Sequence, residues 1–152
     1  MGVVGHGEMP RNVDKRVKVA LESLALSGCG GADLGRHGQP DGGRRATRAL
    51  HSAHPELTAL MFANDFMALG AMREIRERGL RVPEDISVTG FDDVAFSQYW
   101  HPALTSVHIP RDQIGRMVCD ALISDEKSRP GHETVIVPQL VLRDSTGSAA
   151  KS

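Results

Sequence analysis

The sequence has few cysteines, few aromatic residues and no excess of charge of either sign. Cys29 and Cys119 are its only cysteines, which excludes a disulfide scaffold and a cysteine-based zinc site. Lys and Arg number 18 and Asp and Glu number 19, giving a net charge of −1, so the basic surplus typical of nucleic-acid binding is lacking. No apolar run has membrane-spanning length and no export signal is recognisable. We therefore expect a cytoplasmic protein without a membrane partner.

The remaining composition is that of an ordinary globular protein. Hydrophobic residues make up 40% and charged residues 24% of the chain, both common values for a soluble domain. A length of 152 residues allows one domain with its own core, or part of a larger one.

Apolar runs of strand length alternate with helical spacing through the first 91 residues. Such alternation predicts an α/β fold, a parallel sheet with helices on both faces. The strands are predicted at 1–5, 58–63 and 86–91, and the helices around 13–24, 46–53 and 68–75.

The pattern changes after Asp93. A short extended segment at 105–109 is followed by an amphipathic helix around 114–122 and a polar loop at 125–133. Residues 135–142 are predicted as extended, and Pro138 suits an edge or crossing position. We assign residues 1–144 to the domain and 145–152 to a disordered tail.

Residues 62–93 carry the strongest functional signal. The run FANDFMALGAMREIRERGLRVPEDISVTGFDD predicts a strand end, a helix and a second strand that stops at two carboxylates. Polar residues at the carboxyl ends of neighbouring parallel strands are typical of ligand sites in open α/β sheets. Together with PALT at 102–105 and LVLRDS at 140–145, the run closely resembles the LacI/GalR family of transcriptional regulators.

The resemblance spans roughly residues 16–145 and has architectural implications. It implies the C-terminal lobe of a periplasmic-binding-protein-like type I effector domain, truncated at its N-terminal side. DNA binding would then need a helix-turn-helix domain that this chain does not contain. Residues 112–137 would belong to the missing N-terminal lobe of a full-length protein. The apolar stripe of their helix would need another partner, either a second chain or its own lobe.

By the same resemblance, three residues would bind a small polar effector, either sugar-like or purine-like. Arg16 offers a guanidinium suited to hydroxyls or a carboxylate, although a solvated surface arginine is the ordinary alternative. Asn64 equally suits a helix cap, and Asp65 beside it takes a structural role. Asp92 is the third contact. Since neighbours on an extended segment point in opposite directions, we assign Asp93 to capping the next turn.

Two departures from the family pattern bear on the effector. Val19-Ala20 stands where family members often have Gly-Phe, and Gly38-Gln39-Pro40 stands where many carry an aromatic residue that stacks on the effector. A stacking platform is therefore not expected at that position, and the sequence does not name the effector.

The resemblance also implies a homodimer, with contacts at Leu69, Arg73, Phe96 and Trp100. Trp and Arg are favoured at interface centres. Leu69 and Phe96 are also ordinary core residues, so that alternative stays open.

No catalytic, cofactor or metal site is predicted. His51 and His54 are three residues apart but have no third ligand nearby. No serine or cysteine lies in a nucleophile motif, and no phosphate-binding loop is present. Two alternatives to a regulator remain: a solute-binding protein of the same fold, and a small α/β enzyme that uses Arg16, Asn64 and Asp92.

Overall fold

The computed structural model describes residues 2–4, 18–20, 22–23, 39–123 and 134–149. Within them the chain forms a three-stranded parallel sheet of order β1–β2–β3 and a two-stranded antiparallel ribbon, β4–β5. The predicted α/β fold with a parallel sheet and helices is thereby confirmed. The strands are Gly2–Val4 (β1), Ala59–Phe62 (β2), Ser87–Thr89 (β3), Ser106–His108 (β4) and Gln139–Val141 (β5); the helices are Pro40–Ala53 (α1), Asp65–Glu77 (α2) and Arg111–Ile123 (α3), with a 3-10 helix at Ala95–Gln98.

The core forms where α1 and α2 pack with the central strand β2. Leu60 and Phe62 alternate with the less buried Ala59 and Met61 along that strand, as expected where one face is more deeply covered. Leu50 from α1 and Ile75 from α2 complete the same apolar cluster. Burial of such side chains stabilises the lobe by about 1.5–3 kcal/mol each.

Two glycines let α1 and α2 approach each other closely. A side chain at Gly70 of α2 would overlap the Pro40 carbonyl, and one at Gly43 of α1 would overlap the Met67 carbonyl. The sequence prediction began α1 only after Gly43, because Gly42 and Gly43 indicate a loop. The structure begins the helix at Pro40, a residue well suited to a first helical turn.

An ion-pair cluster joins the same two helices on their outer side. Glu74 of α2 is almost fully buried and accepts hydrogen bonds from Arg48 Nε (2.9 Å) and Arg78 Nε (3.0 Å). The bond from Arg48 lowers the pKa of Glu74 to about 2; burial opposes this shift, and the bond from Arg78 adds to it. The carboxylate is therefore charged at neutral pH and holds α1 against α2.

Ser145 connects the end of the described chain to the sheet. It is fully buried, and its Oγ donates to the Val88 carbonyl (2.6 Å) and accepts from Thr105 N (2.8 Å). Val88 N donates in turn to the Ser145 carbonyl (2.8 Å). The sequence prediction of a disordered tail beginning at Ser145 is therefore wrong at its first residue, because that serine supplies hydrogen bonds to two segments.

The helix predicted around 114–122 is present as α3. None of its residues is buried, and Leu122 is 80% exposed. A cleft of about 410 Å³ separates α3 from residues 134–136 and is lined mainly by Ile114, Met117, Val118 and Ile136. In the described part of the chain, α3 thus leaves its apolar side without a partner from the sheet. The predicted polar loop at 125–133 lies outside the described residues.

No helix in the described ranges is long and apolar enough to span a membrane.

Gly70→Ala should destabilise the chain, because the added methyl group forces the α1 and α2 backbones apart. Overpacking of this kind costs about 1–3 kcal/mol. Gly115→Ala in α3 is the matched control, since nothing lies within 4 Å of a side chain there; it should be neutral or mildly stabilising. Urea unfolding followed by circular dichroism measures both. Equal effects of the two substitutions would contradict the close packing at Gly70.

Glu74→Gln should destabilise the chain in a pH-dependent way. The pKa of Glu74 is about 2 in the folded chain against a usual value of 4.5, so its stabilising contribution is fully present above pH 4.5 and is lost as the pH falls towards 2. We expect a loss of about 1–3 kcal/mol at pH 7 that shrinks at lower pH. Urea unfolding at several pH values tests this, with the exposed Glu84→Gln as control. A loss that is independent of pH would refute it.

Candidate functional site

The first part of the site is the junction between β2 and α2. Asn64 has extended backbone angles and is the N-cap of α2, with its Oδ1 accepting from Met67 N at 2.9 Å. The cap satisfies one of the amides left unpaired at a helix start. It also fixes the Asn64 side chain at the carboxyl end of β2, next to the positive end of the α2 dipole.

Asp65 is the buried polar centre of the site. Its Oδ2 accepts from Val94 N (2.8 Å) and Ser97 Oγ (2.7 Å), and its Oδ1 accepts from Ser106 Oγ. A side chain at Gly90 would overlap this carboxylate, so glycine is required there for close approach. The structural role predicted for Asp65 agrees with this geometry. The sequence did not indicate its three partners, which lie 29 to 41 residues away.

Asp92 and Asp93 follow β3 in an unusual backbone conformation. Their φ angles are +108° and +48°, a region that side-chain-bearing residues rarely adopt and that is enriched at functional sites. The premise that both lie on an extended segment is therefore wrong, since β3 ends at Thr89. The turn cap assigned to Asp93 is also wrong, because Asp65 accepts from the amide of Val94.

Asp93 instead binds two basic side chains. Its Oδ1 lies 2.7 Å from Arg143 Nη2 and its Oδ2 lies 3.0 Å from His108 Nδ1. Burial alone would raise the pKa of Asp93, but the hydrogen bonds from Arg143 and His108 outweigh it and lower that pKa. Asp93 is thus held charged and fixed in place at neutral pH.

Asp92 remains at the edge of the sheet beside Asn64. Its side chain is about one-third exposed, and Arg111 Nη2 lies 4.0 Å from its carboxylate. The segments of Asp92 and Asn64 are joined directly, since Asp65 N donates to the Phe91 carbonyl at 2.9 Å. The structure therefore places the segments that carry two of the three predicted effector contacts next to each other. The third, Arg16, lies outside the described residues.

The predicted dimer residues fall into two groups. Leu69 belongs to the core and has little surface to offer a partner, whereas Phe96 is 67% exposed. Arg73 is paired with Glu77 (2.8 Å), and together with Trp100 it lines a cleft of about 280 Å³ beside α2. The exposed face thus comprises Arg73, Phe96 and Trp100, with Tyr99 next to them.

No group of three residues suited to hold a metal ion occurs within the described ranges. His54 pairs with Glu56 at 3.3 Å. The polar groups at the sheet edge are carboxylate and amide side chains and a helix N-terminus. Such an edge can bind hydroxyl or amide groups of a small molecule by hydrogen bonds.

The fold and this edge define one lobe of a periplasmic-binding-protein-like domain. The family model described as "Periplasmic binding protein-like domain" matches residues 2–146, so the chain belongs to that family. Within it, the chain is of the LacI/GalR effector-binding-domain type, as the following relatives show.

The curated relatives carry the names of transcription factors. The HTH-type transcriptional repressor PurR of Haemophilus influenzae is 36% identical over 115 residues, which cover 72% of this chain and 34% of the relative. The HTH-type transcriptional regulator MalR of Streptomyces coelicolor is 40% identical over 111 residues, covering 72% and 32%. The chain thus spans about a third of the length of these relatives.

Solved structures of LacI family proteins are also similar to this chain. A LacI family regulator from an Arthrobacter species in complex with lactose superimposes with a TM-score of 0.85 at 27% identity, over 96% of this chain and 56% of that one. The Lac repressor bound to ONPG gives 0.86 at 28% identity, over 95% and 45%. The predicted resemblance to the LacI/GalR family is confirmed.

Proposed function

We propose that this chain is the ligand-sensing and dimerising part of a LacI-type transcriptional regulator of the cytoplasm. It binds a small polar metabolite, sugar-like or purine-like, through Asn64 and Asp92, with Arg16 added by family resemblance. The observation that carries the proposal is the hydrogen bond from Asp65 N to the Phe91 carbonyl. It joins the ends of two neighbouring parallel strands, at the edge where open α/β sheets bind ligands.

The electrostatics of this edge favour hydroxyl-bearing or amide-bearing ligands. Asp92 supplies a carboxylate that accepts hydrogen bonds, and the N-terminus of α2 supplies positive potential close to it. Asp65 and Asp93 are already engaged with donors of the chain itself. Asp92, beside Arg111, is the most exposed of these three carboxylates and so the one that a ligand would meet first. The lactose complex of the Arthrobacter relative is consistent with a sugar-like effector.

The regulatory mechanism follows from the division into lobes. An effector held between this lobe and a second one stabilises one relative orientation of the two. That orientation would set the spacing of DNA-binding domains, which in this proposal belong to a part of the protein that precedes this chain. The effector shifts the equilibrium only by the difference in its affinity for the two orientations.

The dimer contact is proposed at the face formed by Arg73, Phe96 and Trp100. Phe96 and Tyr99 are 67% and 80% exposed, an uncommon amount of aromatic surface for a chain with so few aromatic residues. Burying such side chains contributes about 1.5–3 kcal/mol each, and exposed apolar patches mark interaction sites.

Asp92→Ala should abolish ligand binding without unfolding the chain. One lobe encloses a ligand only partly, so binding by the isolated chain should be weak. We would titrate the chain with lactose, galactose, hypoxanthine and guanine, following amide shifts by NMR. At least one of the four should shift residues around Asn64 and Asp92, and Asp92→Ala should remove that response.

Glu56→Ala serves as the control, because its exposed carboxylate lies beyond the end of α1. Binding that persists unchanged in Asp92→Ala would show that the assigned site is wrong. Turnover of any of these compounds would favour the enzyme alternative.

The purified chain should self-associate at high micromolar concentration. The double variant Phe96→Ser/Trp100→Ser should shift the equilibrium to monomer if the aromatic face is the contact. Leu122→Ser tests the alternative surface on α3, whose apolar side is exposed. Light scattering measures all three proteins. A monomeric wild-type chain would refute the prediction, and loss of the dimer in Leu122→Ser alone would assign the contact to α3.

A further inference from the structure

The ribbon β4–β5 is the connection between residues 111–138 and the sheet. The chain leaves through β4 and returns through β5, and Ser106 pairs with Val141 at the base of the ribbon. Since α3 buries no residue, it is not anchored to the sheet by packing of its own. The described residues of this segment are therefore held to the sheet by the base of the ribbon and by Arg111, whose Nη2 donates to the Asp92 carbonyl.

One carboxylate binds the two sides of the ribbon, at the far end of β4 and just beyond the base of β5. Asp93 binds His108 at the end of β4 (3.0 Å) and Arg143 two residues beyond β5 (2.7 Å). Arg143 also donates from Nη1 to the Leu104 carbonyl (2.7 Å) and from its backbone N to Thr105 Oγ1 (2.9 Å). These bonds join the outgoing and returning segments to a single loop.

The same loop carries Asp92 and is held in a strained conformation. Positive φ at two successive non-glycine residues is unfavourable, so the conformation persists only because surrounding bonds impose it. Asp92 N donates to the Val107 carbonyl (3.0 Å) and Asp93 N to Ser106 Oγ (3.1 Å). Both acceptors belong to β4. The position of Asp92 is thus fixed by the ribbon on one side and by the Asp93 ion pairs on the other.

We propose that Asp93 and Arg143 are positioning residues that lock the loop bearing Asp92 to the base of the β4–β5 ribbon. A displacement of the Asp92 backbone is then transmitted to β4 and β5, the strands that lead to residues 111–138. The coupling of loop and ribbon stands on the hydrogen bonds above, and its link to a ligand rests on the proposed function. We call Asp93, Arg143 and His108 the ribbon clamp.

The first test compares amide hydrogen exchange in the wild-type chain, Asp93→Asn and Arg143→Gln. Asparagine keeps the shape of aspartate and tolerates positive φ, so it removes the charge with little change in packing. The amides of Asp92 and Arg143 should exchange about tenfold faster or more in both variants. The amides of Ala71 and Met72 in the core of α2 should be unchanged.

Asp112→Asn is the matched control, since its exposed ion pair with Arg116 (2.6 Å) lies on α3 away from the clamp; it should leave these rates unchanged. Arg143→Lys should restore part of the protection, because the lysine keeps the charge but loses the second donor of the guanidinium. His108→Gln removes one of the two side-chain partners of Asp93, at a half-exposed residue, and should accelerate amide exchange less. It also keeps the proposal testable if Asp93→Asn fails to fold.

The pH dependence of amide exchange distinguishes an ion-pair clamp at Asp93 from a role in packing alone. The titratable and basic side chains around Asp93 are Arg143 and His108, with Arg111 beside Asp92 and the buried Asp65 beyond Ser106. Because the pKa of Asp93 is lowered, the clamp should hold above the usual aspartate pKa of about 4 and release as the pH falls below it. The protection of the Asp92 amide, taken as its exchange rate relative to the intrinsic rate at the same pH, should then fall in acid in the wild-type chain. Asp93→Asn should show no such step.

A further test adds lactose or hypoxanthine and follows the amide shifts by NMR. In the wild-type chain, a probe that shifts the Asp92 amide should also shift Val107 and Leu140 of the ribbon. In Asp93→Asn the Asp92 shift should persist while the ribbon shifts disappear. If neither probe moves any amide, the proposed function loses support while the exchange and pH tests still decide the clamp. Unchanged exchange at Asp92 in Asp93→Asn, Arg143→Gln and His108→Gln would overturn the proposal.

Discussion

The buried carboxylate of Asp65 is the interaction on which the rest of this lobe depends. It accepts from Val94 N, Ser97 Oγ and Ser106 Oγ, and so ties the start of α2 to the 3-10 helix and to β4. A buried carboxylate is costly unless it is fully hydrogen-bonded, and here the partners come from two elements, the 3-10 helix with its N-cap Val94 and the strand β4. Gly90 leaves the space that this arrangement needs.

At each of the two strand ends lies a pair of adjacent polar residues, one of which holds the fold while the other lies at the sheet edge. In the first pair Asp65 holds the fold together while Asn64 caps α2 at the sheet edge. In the second, Asp93 holds the ribbon while Asp92 stays partly exposed. A site whose supporting residues are themselves fixed by hydrogen bonds presents its binding groups in a defined geometry. Asp65 and Asp93 are thus both occupied by donors of the chain itself.

The lobe also separates a tightly packed part from an open one. Around α1 and α2, the close contacts at Gly43 and Gly70 and the ion pairs of Glu74 leave little freedom of movement. Helix α3 has no buried residue and meets the sheet through the ribbon. The first part suits a rigid platform for a ligand, and the second suits an element that takes its position from a neighbouring lobe or chain. Under the proposed function, this contrast would let the lobe respond to a ligand by changing its orientation.

The sequence by itself determined the local elements and the family. Apolar periodicity predicted β2, α2 and α3, and the Asn64-Asp65 pair before an apolar run indicated the cap of α2. It did not reveal the first turn of α1, where Gly42 and Gly43 suggested a loop, or the burial of Ser145. Only the tertiary structure decided the partners of Asp93, since Arg143 lies 50 residues away along the chain. The left-handed backbone at Asp92 and Asp93 was equally hidden, because bonds to β4 impose it and no local preference of aspartate in a strand predicts it.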